Sequence, residues 1–262
     1  MSAVSMCRAD LEAKLRARKL DRTLVPVAGR MTLAAPETAS TGIPAVDRQL
    51  GGGLPVGQCS EIVGPRSSGR TSVLLSVLAA ATRRDERVAL VDTFDAFDPE
   101  SAAAAGVGMD KVLWVRGSGC TPAFPFMASR QSGTDRAIER ALKAVNLVLQ
   151  AGGFGVVALD MADAPSTALR RIPFTTWMRL QRVLDGQQTA ALVVGNTPMC
   201  RSAGGVSIVL APAAAGAHGL WASSMPSHLF LGLDTEMRVL RVQRVSGAED
   251  EAVRMTASAR VA

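Results

Sequence analysis

Between an apolar stretch, Cys59–Val63, and a helical one, Thr71–Arg83, lies the turn Gly64-Pro65-Arg66-Ser67-Ser68-Gly69-Arg70-Thr71. Few turns restrict a chain so much. Its two glycines let successive backbone N–H groups point into one concavity, and the helix that follows adds the positive end of its dipole. The pattern is G-x-x-x-x-G-[K]-[ST], that of a phosphate-binding loop, except that Arg70 stands where lysine is usual. All eight residues are therefore candidate nucleotide contacts, and the Thr71 hydroxyl is a candidate magnesium ligand. The competing reading is an ordinary strand–turn–helix corner. Later in the chain Phe154-Gly155-Val156-Val157-Ala158-Leu159-Asp160 reads as an apolar strand ending in a carboxylate. A carboxylate at that end of a parallel strand can hold a magnesium shell, which makes Asp160 the second candidate metal residue.

The rest of the chain alternates between the two periodicities. Apolar strands at Val88–Val91, Lys111–Val115, Gly155–Asp160 and Ala190–Val194 are separated by helices near Pro99–Ala105, over Thr134–Gln150 and over Phe174–Leu184. In the second of these helices Ile138, Leu142, Val145 and Leu149 recur at helical spacing, and Gly152 stops it. Strands apolar throughout belong in a sheet covered on both faces. The C-terminal part is β-rich, with strands expected at Gly205–Leu210, Leu229–Leu233 and Arg238–Arg244. The expected fold class is α/β: a mainly parallel twisted sheet with helices on both faces.

Three regions are expected: an N-terminal helical arm and linker over 1–40, a core over 41–245 and a flexible tail over 246–262. Asp10 can cap an arm helix through Leu11, Leu15 and Arg18. The first thirty residues hold seven basic side chains against three acids, which suits either a solvated face or a docking role. The chain has 262 residues, a formal charge of +6, 4% aromatic residues and no Tyr. Its core must therefore come from Ala, Val and Leu, and its charge favours an acidic partner such as nucleic acid. No apolar run approaches the roughly 20 residues of a membrane span, and no signal-peptide core is present, so the expected location is the cytoplasm, away from membranes. Cys7, Cys59, Cys120 and Cys200 form no C-x-x-C pair and there are only two histidines, which argues against a zinc site.

Several spaced motifs carry a resemblance. Thr41-Gly42-Ile43-Pro44-Ala45-Val46-Asp47, then Gly51-Gly52-Gly53-Leu54-Pro55 and the loop, resemble the opening of the RecA recombinases. The likeness continues through Val91–Pro99, Gly106–Asp110 and the strand ending at Asp160. It implies a RecA-type P-loop core that binds ATP and Mg2+, with Asp98 matching the family's adenine-contacting Asp. It also implies self-association and contact with single-stranded DNA. RecA carries a further C-terminal domain, which is not expected within these 262 residues.

The departures matter as much. Phe94 stands where the family places a water-activating Glu, and a phenyl ring can neither accept a proton nor orient a water. Asp95 beside it is expected on the other side of an extended segment. Ser101 replaces the Tyr that stacks on adenine, and the Asn-Gln sensor reads Asn196-Thr197. The two DNA loops, about Met161–Pro173 and Pro198–Leu220, are shortened and rewritten. The expectation is a degenerate ATPase with no catalytic residues, holding ATP and Mg2+ weakly or vestigially. Arg170, Arg171, Arg179 and Arg182 with Phe174 and Trp177 suggest a track for a single strand; the alternative is that the rings are buried and the arginines solvated.

Short matches at Gly51–Pro55, Val88–Asp92, Ala103–Val107 and Leu113–Arg116 resemble the ImuA (SulA-like) family of RecA-fold paralogues. That likeness implies an accessory role in the SOS response and translesion synthesis, with RecA, an ImuB-like protein and a DnaE-type polymerase as partners. Leu11, Leu15 and Leu20 of the arm match the apolar edge that docks on a neighbouring RecA-type core. Two other functions compete: a DNA-dependent ATPase of RecA or RadA type using Arg70 and Asp95, and a SulA-like cell-division inhibitor.

Overall fold

The computed structural model describes Ala17 and residues 37–117, 130–200, 205–212, 220–222, 229–241 and 253–258. The expected arm helix, apart from Ala17, and residues 201–204 and 213–219 of the Pro198–Leu220 loop lie outside the described residues. The chain divides into two units, Met1–Pro36 and Glu37–Ala262, and the second carries the sheet.

That unit opens with a two-stranded antiparallel ribbon, β1 (Thr38–Ala39) with β2 (Leu54–Pro55), around the helix α1 (Pro44–Leu50). Pro44 begins the helix, where its missing N–H costs nothing, and Gly51 (φ 71) ends it in the left-handed region. The Thr41–Asp47 motif is a clasp. The Asp47 carboxylate accepts from Thr41 N–H at 2.8 Å, Thr41 Oγ1 at 2.7 Å and Ser40 Oγ at 2.6 Å.

The main sheet contains β3 (Cys59–Val63), β4 (Val88–Asp92), β5 (Val112–Arg116), β6 (Val156–Asp160), β7 (Ala190–Gly195), β8 (Ser207–Pro212), β9 (Leu220–Ala222), β10 (Leu229–Arg241) and β11 (Val253–Ser258). Their order is β11-β10-β8-β3-β7-β6-β4-β5, with β9 also on β10. From β8 to β5 every pair is parallel, and every pair involving β10 is antiparallel. Helices α2 (Arg70–Arg83) and α3 (Pro99–Ala104) cover one face with α1. Helices α4 (Arg130–Ala151), α5 (Ser166–Leu169) and α6 (Phe174–Leu184) cover the other. Strand residues alternate between the two cores: Leu90, Ala158 and Leu192 face α2, while Val91, Leu159 and Val193 face α4 and α6. The fold is the α/β class expected, a mostly parallel sheet with helices on both faces.

Glu61, inside β3, is 2% exposed. Its carboxylate accepts from Met199 N–H at 2.7 Å, Cys200 N–H at 2.8 Å and Ser207 Oγ at 2.5 Å. A buried carboxylate is tolerable only when it is bonded in this way.

Two expectations need correction. The strands Leu229–Leu233 and Arg238–Arg244 are one thirteen-residue strand, β10. Asp234-Thr235-Glu236 resembles a turn in composition, but Thr235 and Met237 alternate inward and both are buried. Within the expected flexible tail 246–262 lies β11, which pairs antiparallel with β10 from Val253 opposite Met237 to Ser258 opposite Gly232.

Candidate nucleotide-binding site

The loop Gly64–Thr71 leaves β3 and enters α2 as expected. A Cβ at position 64 would lie 2.5 Å from the Leu210 carbonyl oxygen and 2.5 Å from Ser68 Oγ, so only glycine fits. Ser67 (φ 59) and Gly69 (φ 86) are both left-handed, the alternation that builds an anion-binding nest. The Pro65 carbonyl closes the turn by accepting from Ser68 N–H at 3.3 Å. Thr235 of β10 donates to the Ser68 carbonyl at 3.2 Å and braces the loop. Ser68 Oγ is buried with no hydrogen-bond partner among the described residues, and Thr71 is exposed at the first turn of α2.

Arg70 lies under the loop. It is 6% exposed, and its Nη1 donates to the Gly195 carbonyl at 2.8 Å and the Ala162 carbonyl at 3.3 Å. Burial lowers its pKa from the ordinary guanidinium value, against the pull of Asp160 and Asp163. Arg66, at the mouth, pairs with Asp163 at 3.0 Å.

Asp160 ends β6, and its Oδ1 accepts from Ala162 N–H at 2.8 Å. Desolvation pushes its carboxyl up to about 6; that N–H lowers it, Asp92 and Asp163 raise it further and Arg70 draws it back. Asp92 is spent on its own turn, accepting from Ala96 N–H at 3.0 Å, Phe97 N–H at 2.9 Å and Trp114 Nε1 at 3.3 Å. Phe94 packs half-buried against the core beneath α4 and α6. Asp95 is left-handed (φ 59) and not extended as expected. It forms a two-point bridge to Arg116, Nε and Nη2 each at 2.8 Å, and the guanidinium lies 4.5 Å over the Trp114 ring. That bridge holds the Asp95 carboxyl below its ordinary range.

The adenine side is also committed. Asp98 caps α3, accepting from Glu100 N–H at 3.3 Å, Ser101 N–H at 3.1 Å and Ser101 Oγ at 2.5 Å. The Ser101 hydroxyl is the main cause of its lowered pKa. Of the sensor pair, Asn196 Nδ2 donates to the Ala164 carbonyl at 2.5 Å, while Asn196 Oδ1 and Thr197 Oγ1 are buried without partners among the described residues. Trp177 is 2% exposed against the sheet, so it offers no face to a base; Phe174 is 48% exposed. Trp177 is thus withdrawn from the expected ring-and-arginine track, while Phe174 and the four arginines stay exposed.

The structure thus brings loop, Arg70 and Asp160 together and sets Asp98 to capping. Sequence reasoning missed Asp163, Arg116 and the Gly195 carbonyl. Arg116 had a signal, since it ends β5 in register with Asp92. The cradle fits a phosphate group: the nest is formed and Ser68 Oγ is unspent. Thr71, exposed at the first turn of α2, and Asp160, which accepts from Ala162 N–H through Oδ1, are the residues that would hold a magnesium shell.

Residues 17–122 match the RecA N-terminal domain family. The chain is 47% identical over 85 residues to Protein RecA of Nostoc punctiforme, covering 32% of this chain and 24% of that protein. Protein RecA of Colwellia psychrerythraea is 35% identical over 129 residues, covering 49% and 32%. Protein RecA of Streptomyces venezuelae is 33% identical over 145 residues, covering 55% and 31%. The chain spans between a quarter and a third of the length of these curated relatives. Among the described residues no helix is long and apolar enough to cross a membrane. Sheet, loop and matched segment together make an α/β core consistent with the RecA type.

Proposed function

We propose that the chain is a non-catalytic RecA-like accessory protein of the DNA damage response, acting in the cytoplasm through protein contacts during translesion mutagenesis. The observation that carries the reading is the inward turn of Arg70 onto the Gly195 and Ala162 carbonyls. A P-loop ATPase needs that position's cation on the phosphates and a group that orients water. Here the first is withdrawn and the second is Phe94. The rival ATPase would need Asp95 as its base, and the two-point bridge to Arg116 opposes this by stabilising the ionised, acceptor-committed carboxylate. No observation favours a division inhibitor.

Nucleotide binding is weak and without turnover: the cradle remains for a phosphate, but the adenine stack and the lysine cation of the loop do not. Partners follow from the resemblance to RecA and ImuA: RecA itself, an ImuB-like protein and a DnaE-type polymerase, with the arm as the docking element. Phosphate release by purified protein, with and without single-stranded DNA, is expected at background. Turnover that disappears in Asp160→Ala would overturn the reading. Deleting residues 1–30 is expected to abolish RecA pull-down while the core stays folded; unchanged pull-down would remove the arm from the proposal.

A further inference from the structure

Helices α4 and α6 lie side by side on the sheet and leave a groove of about 830 Å³ between them. Its floor is aliphatic: Ile138 and Leu142 from α4, Ile172 just before α6, and Val183 from α6. Leu142, Ile172 and Val183 are only half-buried, and Leu147, one turn past Lys143 on α4, is 65% exposed. Such a furrow between parallel ridges is the shape into which the ridge of a third helix fits.

The rim decides the occupant. Arg171 bonds Asp135 at 2.7 Å and Lys143 bonds Glu139 at 2.7 Å, so both acids of the groove are already neutralised. Arg179 and Arg182 also line it, both exposed, and neither forms an ion pair among the described residues. Two cations beside an aliphatic floor that no described residue fills call for carboxylates beside aliphatic side chains.

We propose that this groove docks an acidic amphipathic helix of a partner protein, its apolar positions at i, i+4 and i+7 on the floor and its carboxylates on Arg179 and Arg182. The inference stands on the groove alone and does not depend on the state of the phosphate loop. A second copy placed face to face would set the same arginines against each other. A nucleic-acid strand would meet the cations, but no aromatic side chain lines the groove for a base to stack on, and Trp177 is buried beneath α6.

The test is selection from a displayed library of helical peptides of about five turns, panned on the full chain. The Arg179→Glu/Arg182→Glu variant is the counter-target; both positions are exposed, so its fold is retained. Enriched peptides are expected to be net negative, with apolar residues at i, i+4 and i+7. Synthesised, they should bind the double variant roughly tenfold more weakly or worse, and an excess of oligothymidylate should not displace them. Neutral or basic winners, equal affinity for the variant, or no enrichment would each overturn the proposal. Oligothymidylate that binds the wild type, displaces the peptides and fails to bind the variant would assign the groove to nucleic acid instead.

Discussion

Around Gly64–Thr71 the backbone is held from outside: Leu210 limits residue 64 to glycine, Thr235 grips the Ser68 carbonyl, and the Gly195 carbonyl accepts from Gly64 N–H at 3.3 Å. At the ends of β4 and β6, by contrast, it is side chains that decide the chemistry, and there Asp92, Asp95 and Asp160 are each bound to a neighbour in this chain. The loop's shape is part of the sheet and survives with it. Chemistry at the strand ends is separable from it and turns on which side chains those carboxylates meet. A phosphate loop recognised by its backbone therefore says little about hydrolysis until the carboxylates opposite are located.

The contrast can be broken most sharply at Gly64. Gly64→Val drives a side chain into the Leu210 carbonyl and Ser68 Oγ, and should cost about 3 kcal/mol or more by urea denaturation. An unchanged midpoint would mean that the loop is not part of the rigid sheet.

Next in size is Asp160. Its folded-state pKa is raised from 3.8 to about 6, so its contribution to stability is fully present below 3.8 and is lost as pH rises through about 6. That loss is at most about 3 kcal/mol. Asp160→Asn should flatten the profile between those limits; a parallel profile would show that Asp160 is not desolvated. Arg70→Lys should cost about 1–2 kcal/mol, since an ammonium on a different stem leaves the Gly195 and Ala162 carbonyls less well bonded. Thermal melts of the two proteins at one pH decide it.

The smallest effect sharpens the comparison from the other side. Arg70→Lys with Phe94→Glu restores the two obvious losses, yet phosphate release should stay at background. Asp98 remains a helix cap, and Thr197 has no side-chain amide with which to report a phosphate. Catalytic groups contribute about 10²–10⁴-fold each, so a partial repair leaves most of the deficit. DNA-stimulated turnover in the double variant would show that the strand ends are intact after all.

What could be read in the sequence follows the range of the forces. The strands β3, β6 and β7 and the helix α6 lie within a residue of expectation, because continuous apolar runs and helical spacing are local signals. α1 was hidden because Pro44 reads as loop until its place at a helix start is seen. β10 was split because Asp234 and Glu236 look like turn residues when the neighbours they pair with are unknown. Arg70's identity was plain, but its direction was not: the carbonyls it bonds are 125 and 92 residues away. For Asp95, likewise, nothing local announces Arg116, 21 residues on.

The Glu61 clasp sets a timetable for synthesis. β3 is made early, yet both its neighbours, β7 and β8, and all three donors to its buried carboxylate come from residues 190 onward. A nascent chain that has emerged only as far as β6 holds a central strand with two open edges and an unsatisfied acid. The sheet cannot close from the N-terminus forward; it waits for Ser207, and contacts of such long range make for slow folding. Until then the apolar strands are exposed to wrong pairing, the state that chaperones bind.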